Sequence, residues 1–173
     1  MSTSKTENNE VYDFEYPGFF KLIYRYGNIP VTIILSVYLI LSLVNLERNL
    51  FFLIPIIIIL LLIYSLNKHY LMLYKIMPYR IKADDEKLTC TDFLFQGKEV
   101  VIYYKDIESF TGGMLSGKLS GIMKLCDEQS KICIGFYDKL KDVNKLQTLI
   151  LSKVRKDVYD AVVEKIGLRK GKK

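Results

Sequence analysis

The chain has 173 residues, half of them apolar, with 25 Lys or Arg against 19 Asp or Glu, one histidine and three cysteines. A chain of this size cannot bury two helices that are apolar on every face, and one histidine with three cysteines in no C-x-x-C spacing excludes a structural zinc site. The net charge of +6 is confined to one end: residues 138–173 hold eleven Lys or Arg and five Asp or Glu, and the remainder of the chain balances.

Residues 1–10 are polar and without periodicity, which predicts a disordered N-terminus. Residues 11–28 are dense in aromatics, from Tyr12, Phe14 and Tyr16 through Phe19 and Phe20 to Tyr24 and Tyr26, interleaved with Lys21 and Arg25. Rings with polar tips and basic side chains favour the headgroup level of a bilayer, so this stretch is expected to be interfacial, with Lys21 and Arg25 meeting anionic lipid. The alternative is that the same rings pack on a soluble domain.

Two uncharged apolar runs follow, residues 29–46 and 50–66. Each is long enough to cross a hydrocarbon core of roughly 30 Å as a helix, and the intervening Glu47-Arg48-Asn49 leaves room only for a tight turn, which predicts a transmembrane hairpin over 29–66. Pro30 falls at the start of the first helix, and Pro55 is expected one turn into the second, where it would kink the span without breaking it. Lys21 and Arg25 precede the hairpin and Lys68, Lys75, Arg80 and Lys82 follow it, whereas the turn carries Arg48 alone. Positive residues near short segments stay cytoplasmic, so both termini are expected in the cytoplasm. Glu7, Glu10, Asp13 and Glu15 lie where a cleavable signal peptide would be basic. The polar punctuation within the spans is Thr32, Ser36, Ser42, Asn45 and Ser65, with no ionisable group in either core, which argues against transport. Residues 67–78 read as a juxtamembrane helix or linker.

From residue 79 the pattern shifts to short alternating segments. Strands are expected at 79–83, 87–95, 99–104 and 107–111, with turns at 84–86 and 96–98. A hairpin is expected from 122–126 and 131–136; with Leu125 opposite Ile132 and Met123 opposite Ile134, these four share one face, and Lys124, Cys126, Lys131 and Cys133 the other. Cys90, Cys126 and Cys133, on the face expected to be reducing, are read as free thiols. Val143, Leu146, Ile150, Val154, Val158, Val162 and Ile166 recur at helical spacing, with Asp138 or Asp142 to cap the start and Gly167 to stop the helix. Its first half, to about Leu151, is expected to pack on the sheet and the second to project or break.

Two membrane helices, the arginine-bearing strand Tyr79-Arg80-Ile81-Lys82-Ala83, an acidic turn and the segment Ile102-Tyr103-Tyr104-Lys105-Asp106-Ile107-Glu108-Ser109-Phe110 together resemble the small bacterial membrane proteins that carry a pleckstrin-homology-like (PH-like) domain. The resemblance covers residues 29–151. It implies an α+β cytoplasmic domain over 79–167, a partly open antiparallel β-barrel or curled sheet capped by a C-terminal helix, at a bacterial inner membrane. It implies no catalytic residues and no cofactor.

Lys153, Arg155, Lys156, Lys165, Arg169, Lys170, Lys172 and Lys173 gather on the far helix and on the basic tail 168–173, where each would gain about 1 kcal/mol near an anionic leaflet. A solvated helix face is the alternative reading of the same charges. Nucleic acid is not an expected partner, because the aromatics needed for stacking lie elsewhere. Gly112 to Leu119 nearly spells the phosphate-binding loop G-x-x-x-x-G-K-[ST], but Leu119 replaces the metal-holding hydroxyl and a strand follows where a helix should begin. That segment reads as a loop whose Met114, Leu115 and Leu119 touch lipid or a partner. Metal ligands, a catalytic constellation and a small-molecule substrate are all unexpected. The expected function is a non-catalytic adaptor or accessory subunit of a membrane complex, with self-association as another form of partner; an anionic-lipid sensor is the alternative and a lipid-modifying enzyme the third.

Two predictions follow from charge and loop chemistry. Single cysteines replacing Ser4 and Asn49, in a background without native cysteines, should differ in labelling from outside intact cells, Asn49 reacting and Ser4 protected. Lys118→Ala should leave ATP binding unchanged at none by equilibrium dialysis, whereas a true phosphate loop loses most of its affinity with that lysine.

Overall fold

The computed structural model describes residues 11–47, 49–94, 97, 99–113, 121–127 and 129–170, the last four of these by their backbone alone. The expected disordered segment 1–10, Arg48, the loop residues Met114, Leu115, Lys118 and Leu119, Lys172 and Lys173 lie outside the described residues, as do the side chains of Arg169 and Lys170.

In chain order the elements are β1 (Tyr12–Glu15), α1 (Gly18–Tyr26), α2 (Asn28–Leu46), a 3-10 turn (Leu50–Phe52), α3 (Leu53–Ile76), β2 (Arg80–Ala83), β3 (Lys87–Thr91), β4 (Val100–Tyr103), a second 3-10 turn (Tyr104–Asp106), β5 (Ser109–Gly112), β6 (Met123–Asp127), β7 (Ile132–Phe136), α4 (Val143–Lys153) and α5 (Lys156–Lys170). They form two compact units: Gly18–Lys75 is one, and the segments up to Pro17 and from Ile76 together make the other.

The second of these units is mixed α+β, with two antiparallel sheets, ordered β1-β2-β3-β4 and β5-β6-β7, neither closed into a barrel. Alternation decides which side of each strand faces inward. Phe14, Ile81, Ala83, Leu88, Cys90 and Ile102 are buried from the first sheet, Phe110, Met123, Leu125, Ile134 and Phe136 from the second. Val143, Leu146 and Ile150 of α4, at three- and four-residue spacing, complete the core, joined by Val158 and Val162 of α5.

The expected interfacial segment 11–28 divides at Pro17. Its first part is β1, which pairs with β2 in the register Tyr12↔Ala83 to Glu15↔Arg80. Phe14 and Tyr16 are 2% and 3% exposed, so here the rings pack on the soluble core. Tyr16 also ties β1 to the segment after β7: its hydroxyl accepts from the Tyr137 N–H at 2.7 Å, and the Glu15 carbonyl accepts from the Lys141 N–H at 3.2 Å. On the outer face Arg80 forks onto the Asp13 carboxylate, with Nε 3.0 Å from both oxygens.

Several expected boundaries shift for local reasons. The strand expected over 87–95 stops at Thr91, because Asp92 adopts the left-handed conformation (φ 61°) and its carbonyl accepts from the Tyr79 N–H. Tyr104 leaves the next strand for a 3-10 turn, its amide bonded to the Glu86 carbonyl. The β6–β7 hairpin keeps the expected faces but slides by two residues, pairing Leu125 with Ile134 and Met123 with Phe136. The slide preserves parity, so Leu125 still faces inward. It also places Cys126 opposite Cys133, and the two form a disulfide. The reading of three free thiols is thereby corrected: Cys90 alone is free, and it is buried. Asp127 holds the turn, its carboxylate accepting from the Gln129 and Ser130 N–H groups at 3.0 and 3.1 Å.

The helix expected to run from Val143 breaks at Val154, whose extended backbone (φ −73°, ψ 163°) separates α4 from α5. The Asp142 backbone is left-handed at the start of α4 and its side chain makes no cap bond. Helical backbone continues past Gly167 to Lys170, so that glycine does not stop it. The second half does not merely project, since Val158 and Val162 are 4% and 1% exposed.

Truncating a buried phenylalanine costs about 3–5 kcal/mol, so Phe14→Ala should lower the unfolding midpoint of the detergent-solubilised chain far more than the outer-face Asp13→Asn. Hydrogen bonding and the positive charge of Arg80 hold the Asp13 carboxyl below its ordinary 3.8. A depressed carboxyl contributes above its unfolded pKa and loses that contribution as pH falls through the folded one. The stability difference between wild type and Asp13→Asn should therefore stay constant from neutral pH to about 4 and vanish only below it.

Candidate functional site

Two helical stretches are long and apolar enough to cross a membrane, Asn28–Leu46 and Leu50–Ile76, with mean hydropathies of 2.3 and 2.7. Only 6% of the most apolar 18-residue window of each is buried, and side chains such as Ile33, Ile40, Ile57 and Leu61 are exposed. Helix α3 runs without a break through the expected juxtamembrane segment 67–78 as far as Ile76, and Pro55 falls in its first turn, where a missing N–H costs little. Pro30 likewise sits in the first turn of α2.

Polar groups fasten these apolar helices to each other. Asn28 Nδ2 donates to Asn67 Oδ1 at 3.0 Å. Asn67 Nδ2 donates to Thr32 Oγ1 at 3.2 Å and to the Ile63 carbonyl at 2.9 Å. The Tyr74 hydroxyl lies 2.7 Å from Asn28 Oδ1 and 2.9 Å from the Arg25 carbonyl. Gly27 permits a further approach: a Cβ there would stand 2.6 Å from the Tyr70 hydroxyl. Asn28 and Asn67 flank the apolar runs 29–46 and 50–66 and were not among the polar residues the sequence singles out. Beside the cluster a groove of about 360 Å³ runs along α2 past Thr32, Ser36 and Asn67.

Helix α1 is amphipathic. Phe19, Leu22 and Tyr26 are 70%, 62% and 46% exposed on one side, while Lys21 and Arg25, four residues apart, lie together on another. Gly27 is itself helical in backbone, so α1 runs into α2.

On the sheet unit a cavity of about 430 Å³ opens among Asp85, Glu86, Tyr103, Tyr104, Lys105 and Lys153. Its position follows from three ends meeting: the β2–β3 turn, the exit of β4 and the last turn of α4. Asp84 builds the turn by accepting from the Glu86 and Lys87 N–H groups, both at 2.8 Å. Lys153 bridges to Asp85, donating to its carbonyl at 3.0 Å and its carboxylate at 2.6 Å, over the Tyr104 ring. The Tyr104 hydroxyl donates to the Asp84 carbonyl at 3.2 Å; burial, then the Asp84 and Asp85 charges, push its pKa up, so it remains a neutral donor. Two ammonium groups and two carboxylates make the lining neutral. Among the described residues no cluster of three or more His, Cys, Asp or Glu could hold a metal.

Among the described side chains, the basic residues expected to meet lipid do not all share one face. Lys153 is engaged by Asp85, and Arg155 pairs with Asp157 at 3.5 Å. Lys156 and Lys165, nine residues apart on α5, point in opposite directions at 100° per residue. Lys21 and Arg25 remain together on α1.

Comparison with protein-family models, with curated proteins and with solved structures finds no match. The chemistry therefore has to be read from this chain alone.

Interhelical hydrogen bonds in bilayers contribute about 0.6 kcal/mol on average and up to about 1.7. A double-mutant cycle between Asn28→Ala and Asn67→Ala, measured by unfolding in lipid or detergent, should give a coupling within that range. Additive losses would show that the amides act independently.

Proposed function

We propose that this chain is a membrane-anchored, non-catalytic module whose sheet unit works as an adaptor or accessory subunit of a membrane protein complex. The observation that carries the reading is the pairing of β1 with β2. One strand precedes the two apolar helices and the other follows them, so a chain whose helices enter a bilayer and whose strands pair in water must cross it an even number of times. The largely outward-facing apolar side chains of α2 and α3 support lipid as their surroundings. Helix α1 supports an interfacial place, with apolar and basic sides leading directly into α2. The cytoplasm is the side favoured by Lys21, Arg25, Lys68 and Lys75. Two antiparallel sheets followed by helices support the PH-like reading at the level of architecture.

Within this proposal the sheets are the partner surface. β4 ends one sheet and β7 the other, and an unpaired strand edge offers N–H and C=O groups to a strand of another chain. The ion pairs that occupy Lys153 and Arg155 favour the adaptor over the anionic-lipid sensor.

After extraction in mild detergent, the native mass should exceed that of one 20.2 kDa chain, with a second polypeptide or a second copy in fixed ratio. A monomer that binds anionic vesicles, with affinity falling steeply as salt rises, would instead support the lipid sensor.

A further inference from the structure

Cys126 and Cys133 face each other across β6 and β7, their Cα atoms 4.2 Å apart, and are joined as a disulfide. Met123, Leu125, Ile134 and Phe136 point inward from the same two strands, so the sulfurs lie on the opposite, wet face. Cys133 is exposed and Cys126 half-buried. Lys124 shares that face two residues along β6. The free Cys90 is the contrast: it is fully buried, its thiol pushed up to about 12 by loss of solvent.

The link is one fastening of this hairpin among several. Its cysteines are seven positions apart, and a cross-link closing so short a loop restrains the unfolded chain somewhat less than a long one, the difference growing only with the logarithm of loop length. The hairpin already has its hydrogen-bonded register, its inward apolar row and the Asp127 turn. A disulfide in a reducing compartment is usually transient.

We propose that Cys126 and Cys133 form a solvent-facing, exchangeable thiol–disulfide pair, a modification site at which a small thiol of the glutathione class adds to Cys133. The external thiolate attacks Sγ of Cys133; the new S–S bond forms as the Cys126–Cys133 bond breaks, and the electron pair leaves on Cys126, which takes a proton from water. A second thiolate attacks the sulfur of the bound small thiol, releasing the oxidised small disulfide and the Cys133 thiolate. The pair gains two electrons and the two small thiols lose them. The expectation that this state changes in cells rests on the cytoplasmic placement proposed above; the exchange itself does not.

The test uses the full chain in detergent with reduced and oxidised glutathione, read by intact mass and by maleimide labelling after acid quench. Reduced glutathione should open the native pair on the scale of about minutes to hours, leaving Cys90 unlabelled until the protein is unfolded. With oxidised glutathione, Cys126→Ser should gain one adduct, and Cys133→Ser should gain it several-fold more slowly. Replacing both cysteines with serine should lower the thermal midpoint by several degrees while leaving a single cooperative transition. A pair that opens only after unfolding, or a midpoint that collapses in the double variant, would overturn the proposal in favour of a structural staple. In cells, the pair should be mostly reduced during growth and oxidised by a thiol oxidant. A permanently oxidised pair with Asn49→Cys labelled from outside contradicts exchange. The same pair with Ser4→Cys labelled instead shows that the orientation failed, and the detergent experiment then decides exchange by itself.

Discussion

The pairing of β1 with β2 constrains everything else in this chain. Glu15 and Arg80 are neighbours across a sheet, although a whole helical unit intervenes in sequence. An antiparallel ladder between segments so far apart costs loop-closure entropy, yet that cost grows only as the logarithm of loop length. Phe14, buried beside Ile81 and its neighbours, supplies apolar contact on the inner face, and the Arg80–Asp13 fork supplies a charge-assisted contact on the outer one. The helices are in this sense an insertion into a sheet, and the sheet unit cannot be complete without residues from both ends of the insertion.

The insertion solves a different physical problem. Its side chains are apolar nearly all round, so packing of one helix on the other gains little from hydrophobicity once lipid is the surrounding medium. Specificity then falls to the few polar groups, and Asn28, Thr32, Asn67 and Tyr74 satisfy one another in a small network. Half-buried amides of this kind are costly when left partly satisfied, which makes a shared set a stronger register device than any single bond. Gly27 complements it by leaving room for the Tyr70 hydroxyl where any side chain would collide with it.

Much of the fold was legible in the residues. Continuous apolarity marked the two long helices, alternation marked most strands, and the inward faces of β6 and β7 were assigned correctly even though the register slid by two. Parity is what amphipathic alternation encodes, and a two-residue slide leaves it intact. What escaped depended on distant partners. Tyr12–Glu15 alternates as a strand, but its aromatics carry the same signature whether they meet lipid or protein, and only pairing with β2 decides between them. The Cys126–Cys133 link escaped through the same register slide. The interhelical amides escaped because Asn28 and Asn67 stand just outside the apolar runs. For the basic helix, composition counts charges but does not arrange them: helical geometry sends Lys156 and Lys165 to opposite sides, and Lys153 and Arg155 stand beside acidic residues.

The most direct test of this architecture is a cross-link across the β1–β2 ladder in native membranes. Asp13 and Lys82 are opposite one another on adjacent strands, so the double variant Asp13→Cys with Lys82→Cys, in a background without native cysteines, should close with a short bis-thiol reagent and shift in gel mobility, while Asp13→Cys paired with Val101→Cys, three strands across the same sheet, should not. Failure of the first pair to close, with each single cysteine still freely labelled, would place the two flanks of the helices apart and contradict the account.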